Sequence, residues 1–129
     1  MKTVNILLWI LQILLGIFFV MVGAMKTITP IDELLAQMAW VESAGEFGTR
    51  LAGISEVLGG LGLILPAALR IKPRLTPIAA SALAFVMVLA LGLHAMRGEW
   101  SMIIPNIVIG LLMVFVAWGR FTKAPIQPK

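Results

Sequence analysis

The carboxylate of Glu56 stands inside an apolar run, RLAGISEVLGGLGLILP, from Arg50 to Pro66. An ionised carboxylate in hydrocarbon is strongly destabilising unless paired, and a neutral one still needs a hydrogen bond. The chain has a single histidine, His94, in a second apolar run, and Asn106 and Gln12 place carboxamides in two others. A histidine and a carboxylate can exchange protons near neutral pH when their environment matches their affinities. Such a set, with Lys26, Arg50 and Arg97 nearby in basic positions, could bind or protonate the oxygens of a lipid-soluble molecule. The same groups could equally be interhelical hydrogen-bond glue, worth about 0.6 kcal/mol per bond inside a membrane. Cysteine is absent, which removes thiolate metal sites and thiol redox relays. One histidine does not make a metal site, and no haem ligand pair or flavin fingerprint is present, so no intrinsic metal or cofactor is expected and a quinone is the candidate ligand.

Helical spacing brings these groups to common faces. Gly53, Glu56 and Gly60 fall at i, i+3 and i+7, so the carboxylate shares a stripe with glycines, the mark of helix contacts in membranes. Gln12, Gly16, Phe19, Gly23 and Lys26 form a like stripe, as do Asn106, Gly110, Met113 and Ala117. His94 shares the bulkiest of the four faces with Met87, Ala90 and Leu91. At 1.5 Å per helical residue, Glu56 lies roughly 9 Å below Arg50 and Asn106 roughly 8 Å below Ser101, which puts the two at one level. His94 falls about a turn nearer the outer surface, with Lys26, Arg50 and Arg97 around the mouth. Gln12 lies deeper, in the opposite half.

The elements that carry these faces are membrane helices. Of 129 residues 60% are hydrophobic and 12% charged, with a mean hydropathy of +1.04, which leaves too little polar surface to cover a water-soluble core. Runs at about 5–25, 50–69, 73–96 and 101–118 are each long enough to cross a bilayer, so a single domain over 1–129 is expected: an all-α, four-helix transmembrane bundle. The first run starts like a signal peptide but is long and lacks a clean small-residue cleavage site, so it is expected to be retained. Lys2, Arg70, Lys72, Arg74, Arg120, Lys123 and Lys129 fall on one side, against Lys26, Arg50 and Arg97 on the other. The positive-inside rule then puts both termini in the cytoplasm of a multi-pass protein of the cell inner (plasma) membrane. The net charge of +4 is not gathered into a basic patch with interleaved aromatics, so nucleic acid is not an expected partner. In the outer connection Thr29 is expected to cap an amphipathic helix at about 30–43, with Pro30 in its first turn. Pro66 is expected to mark a helix end. The tail, 121–129, is expected to be disordered.

From about Val20 to Arg120 the chain resembles the DoxX-like family of small four-helix membrane proteins. The likeness is carried by RLAGISEVLGGLGLILP, then RLTPIAASALAFVMVLALGLHAMRGE, then IIPNIVIGLLMVFVAWGR. Relatives in that family include small subunits of an archaeal thiosulfate:quinone oxidoreductase, bacterial membrane partners of redox and detoxification enzymes, and distant eukaryotic proteins that assist receptor assembly. The resemblance implies a membrane subunit with a redox-enzyme partner or a homo-oligomer. Its matching polar positions here are Arg50, Glu56, His94 and Asn106, without a catalytic role for any of them. Three readings follow. The first is a non-catalytic membrane partner or assembly subunit with a polar pocket around Glu56. The second is a quinone- or lipid-binding subunit of a membrane oxidoreductase. The third is a small transporter or channel, with Lys26, Arg50 and Arg97 as an anion attractor, although the chain shows no internal inverted repeat.

Overall fold

The computed structural model describes residues 2–129 and is helical almost throughout. Helix α1 spans Lys2–Ile28, α2 Ile31–Gln37, α3 Val41–Leu69, α4 Leu75–Arg97 and α5 Ile103–Trp118. A 3-10 turn, Trp100–Met102, leads into α5, and a π-helical turn, Gly119–Lys123, follows it. Four helical segments are long and apolar enough to cross a membrane. Their outer faces remain apolar, as at Leu14, Met21, Leu58, Phe85 and Leu111, each more than half exposed. Only lipid can cover such surface over four helices. The expectation of an all-α four-helix membrane bundle is borne out.

The packing order is α1, α3, α4, α5, with α1 meeting α5 only sparsely. Glycines set the α1–α3 approach. A Cβ on Gly23 would lie 2.5 Å from the Gly53 carbonyl oxygen, and one on Gly60 would lie 2.7 Å from that of Gly16. Two helices whose main chains touch twice, seven residues apart, are fixed in register. Leu83 of α4 packs against Gly59 of α3, and the core continues through Leu15, Phe19, Leu63, Met87, Met113 and Val116.

Pro66 lies inside α3, three residues short of its end, and does not close the helix. Proline cannot donate to the carbonyl four residues back, which is that of Gly62. The Thr76 hydroxyl donates to that carbonyl at 2.9 Å, filling the place Pro66 leaves open and tying α4 to α3. Pro77 and Pro105 each occupy the first turn of their helices, where the missing N–H costs nothing.

The outer connection departs from expectation. The surface helix is seven residues long, begins after Pro30 with no side-chain cap, and ends at Gln37 because Met38 is extended. A new helical turn starts at Val41 and breaks at Gly45, whose φ of 76° and ψ of 172° lie in a region essentially reserved for glycine. One continuous helix over 30–43 would carry Met38 and Trp40 along its own axis. The two breaks instead turn both inward over the bundle. The tail expected to be disordered also has fixed contacts: the Lys129 amide donates to the Arg70 carbonyl at 3.0 Å, and Arg70 Nε donates to the Gln127 carbonyl at 2.8 Å.

Candidate functional site

Glu56 is 2% exposed, and its carboxylate meets Lys26, which shares a face of α1 with Gln12, Gly16 and Gly23. Lys26 Nζ donates to Glu56 Oε1 at 2.8 Å and lies 3.2 Å from Oε2. The pair forms where Gly23 and Gly53 bring α1 and α3 closest, so the glycines create the closeness that the carboxylate needs. The Lys26 ammonium also lies over the Trp40 ring, 5.0 Å from its centroid. An ammonium has three protons, and Glu56 does not use all of them.

His94 does not pair with Glu56. Its Nδ1 lies 2.9 Å from Glu99 Oε1, and Arg97 Nε lies 3.3 Å from Glu99 Oε2. Gly98, in the left-handed region at φ 72°, closes α4 and folds Glu99 back onto it. The His94 hydrogen bond, with the hydrogen bond and charge of Arg97, holds the Glu99 carboxyl below its ordinary value of 4.5. An Nδ1–H donated to a carboxylate fixes the ring tautomer and leaves Nε2 without a partner among the described residues.

Asn106 is buried, and its side-chain nitrogen donates at 2.7 Å to the carbonyl of Met102, the last residue of the 3-10 turn before α5. Lys26, Glu56, His94 and Asn106 all line one cavity of about 520 Å³ in the half of the bundle nearest the outer connection. Ser55 adds a hydroxyl to its wall. The remaining wall is apolar, with Phe18, Phe19 and Val22 from α1, Met87 and Leu93 from α4, and Ile109 from α5. Met38 and Trp40 roof it.

Three of the residues named from the sequence lie outside that wall. Arg50 donates to the carbonyls of Lys26 at 3.0 Å and Thr29 at 2.5 Å, so it caps the carbonyl end of α1. Arg97 binds Glu99 and donates to the Ser43 hydroxyl, joining α4 to the start of α3. With Lys26 on Glu56, each of the three outer cations has a partner inside the chain. Gln12 belongs to a separate inner cluster. Its amide donates to the Leu63 carbonyl at 2.8 Å and its oxygen accepts from Arg120 Nε at 2.6 Å.

Arg120 is the residue that sequence reasoning missed. In the sequence it is one more inner positive charge; in the structure it is 3% exposed. Besides Gln12 it reaches Asn5 Oδ1 and the Ala124 carbonyl, both at 2.7 Å, and lies over the Trp9 ring. The local signal was its place one residue after an apolar run, next to Gly119, whose missing side chain admits Leu8. Its two side-chain partners, Gln12 and Asn5, lie more than 100 positions away and cannot be read from spacing. Among the described residues no group of three or more His, Asp and Glu gathers as a metal site.

A family model described as the DoxX-like family matches residues 10–116. No curated protein and no solved structure matches the chain. The match covers most of the sequence and all four long helices, and the chain belongs to that family.

Proposed function

We propose that this DoxX-like membrane protein is a non-catalytic membrane subunit whose cavity holds the polar end of a lipid-soluble ligand, a quinone or a related carbonyl-bearing lipid. One observation carries the reading: a cavity of about 520 Å³ with apolar walls is lined by Lys26, Glu56, His94 and Asn106 together. That size lies within the roughly 300–1,000 Å³ of small-molecule sites, and a few convergent polar groups in an apolar wall is their usual composition. Glu56 neutralises Lys26, and Glu99 accepts from His94 and Arg97, so the polar end favours an uncharged head group. A ligand carbonyl would accept from the spare Lys26 proton. A ligand hydroxyl would donate to His94 Nε2 or to the Asn106 oxygen. Electrons for any redox change would come from a partner subunit, in keeping with a sequence that has no cysteine and shows no haem ligand pair or flavin fingerprint. In the orientation proposed, both termini lie in the cytoplasm and the cavity in the outer half of the cell membrane.

The test is mass spectrometry of small molecules retained by gently purified protein, comparing wild type with Glu56→Gln, Lys26→Met and His94→Ala at equal folded yield. A quinone or other isoprenoid present in wild type and depleted in the variants supports the reading. Equal retention by all four proteins would sink it. A second reading, structural glue in an assembly subunit, is favoured by one fact: Glu56, His94 and Gln12 each already have a partner within the chain. Glue predicts no specific retained molecule and undiminished function in Glu56→Gln.

A further inference from the structure

We infer that the cavity exchanges its occupant with the lipid phase, through the cleft between the outer halves of α1 and α5, and not with water through the outer mouth. This rests on the reading of the cavity as a ligand site.

The water-facing side is roofed and the roof is fastened. Met38 and Trp40 lie over the cavity, and Leu34 and Val41 on either side of them are buried. Trp40 sits against the Lys26 ammonium, and Arg50 ties the start of the connection to α3 through the Lys26 and Thr29 carbonyls. At the far end Arg97 holds the Ser43 hydroxyl and shares Glu99 with His94. A water-borne solute would have to undo charged contacts on three helices to enter.

Between α1 and α5 the situation is reversed along the length of the bundle. The inner ends are locked: a Cβ on Gly119 would lie 2.6 Å from the Leu8 side chain, and Arg120 binds both Gln12 and Asn5. Beyond that lock the two helices meet only sparsely, and no hydrogen bond or ion pair joins them in the outer half among the described residues. There the cavity wall is Phe18 and Val22 on one side and Pro105 and Ile109 on the other. Phe18 is 44% exposed, so the lips of the cleft are apolar and face lipid. The α1–α3 seam is closed by main-chain contact at Gly23 and Gly53, and α3 and α4 are tied at their inner end by Thr76 and at their outer end by Arg97. Leu51 and Leu89 are exposed on the cavity wall between those ties, but α3–α4 and α4–α5 pack far more extensively than α1–α5. Apolar lips without polar fastening pass a molecule already dissolved in hydrocarbon, since nothing charged has to be desolvated as it slides in. The occupant is therefore a membrane-dissolved amphiphile that enters sideways.

The chain has no cysteine, so introduced pairs are its only thiols. Full-length Phe18→Cys/Ile109→Cys, Ser43→Cys/Arg97→Cys and Leu51→Cys/Leu89→Cys would each be placed in phosphatidylcholine nanodiscs, before and after joining with a short bismaleimide. The probe is a decyl-substituted benzoquinone, and its exchange is followed by stopped-flow quenching of tryptophan fluorescence. Joining Phe18 to Ile109 positions should slow association and dissociation at least tenfold, while joining the roof pair leaves both rates unchanged. The route is overturned if the roof link or the α3–α4 link is the one that slows exchange. It is equally overturned if single-cysteine maleimide adducts at position 18 or 109 slow exchange as much as the link. Binding with rates unmoved by the α1–α5 link overturns the route alone. No probe binding by the unjoined protein overturns the cavity reading and the route with it.

Discussion

At the residue scale the central fact is that Glu56 and Lys26 are each other's solution to burial. Removing one partner of a buried pair leaves the other charged and uncompensated, which costs about 3–5 kcal/mol, whereas replacing both by apolar groups of similar volume is near neutral. Glu56→Ala should therefore destabilise strongly, and Lys26→Met/Glu56→Leu should regain most of the loss. Thermal unfolding of the purified variants in one detergent checks this, and a double variant no better than Glu56→Ala would contradict it. The Glu99 latch makes a pH-dependent prediction. Its carboxyl titrates below 4.5 when folded, held there by the hydrogen bond from His94 and by Arg97. A depressed value adds stability that is complete above 4.5 and is lost as pH falls through the lower folded value. The thermal midpoint of wild type should exceed that of Glu99→Gln at pH 7, and the two should converge as the pH is taken from 4.5 downward. A gap that persists undiminished at pH 3 would show that the latch does not depend on the carboxylate charge.

At the element scale, main-chain contact between α1 and α3 decides where the pair can form. A methyl on Gly23 would meet the Gly53 carbonyl at 2.5 Å and the Val57 amide nitrogen at 2.7 Å, both backbone atoms that cannot step aside. Gly23→Ala should cost about 1–3 kcal/mol by overpacking. Gly92→Ala, inside α4 five residues before its end and with nothing within 4 Å, should be neutral or stabilise by up to about 1 kcal/mol. Protease resistance across a temperature ramp separates the two, and equal behaviour would remove the glycines from the account. This contrast also marks what was legible beforehand. The four helices could be read because hydropathy is a property of successive residues, and the Gly53–Glu56–Gly60 stripe could be read because helical period is local. The faces that carry Lys26 and Glu56 were legible, but Lys26 was placed at the mouth because spacing fixes a face and leaves the reach of a long side chain open. The His94–Glu99 bond spans five residues, and the Gly98 before Glu99 was its local signal. The breaks at Met38 and Gly45 were less visible, because the apolar spacing of 31–41 continues straight through the first.

At the scale of the whole molecule, the bundle is closed by contacts between the two ends of the chain. Arg120 joins Asn5 and Gln12 at the start of α1 to Ala124 beyond α5, while Gln12 in turn holds the Leu63 carbonyl of α3. No sequence pattern announces such a hub, since Gln12 lies 51 positions from Leu63, Arg120 lies 108 from Gln12 and 115 from Asn5, and these pair only after the helices have assembled. The guanidinium is satisfied by neutral oxygens, with no carboxylate in reach among the described residues, so its removal strands several acceptors and no charge. Each stranded buried group costs about 1–3 kcal/mol. Arg120→Met should thus lower the thermal midpoint clearly. Arg70→Met, which removes a hydrogen bond between an exposed arginine and the tail, should leave it within about 0.5 kcal/mol of wild type. Because the same hub is what holds α1 against α5 below the cavity, the loss in Arg120→Met should appear first between those helices. Hydrogen exchange in detergent would then rise at the inner turns of α1 and α5 before it rises in α3 or α4. Uniform loss of protection across all four helices would mean that Arg120 holds the bundle together as a whole instead of pinning one seam.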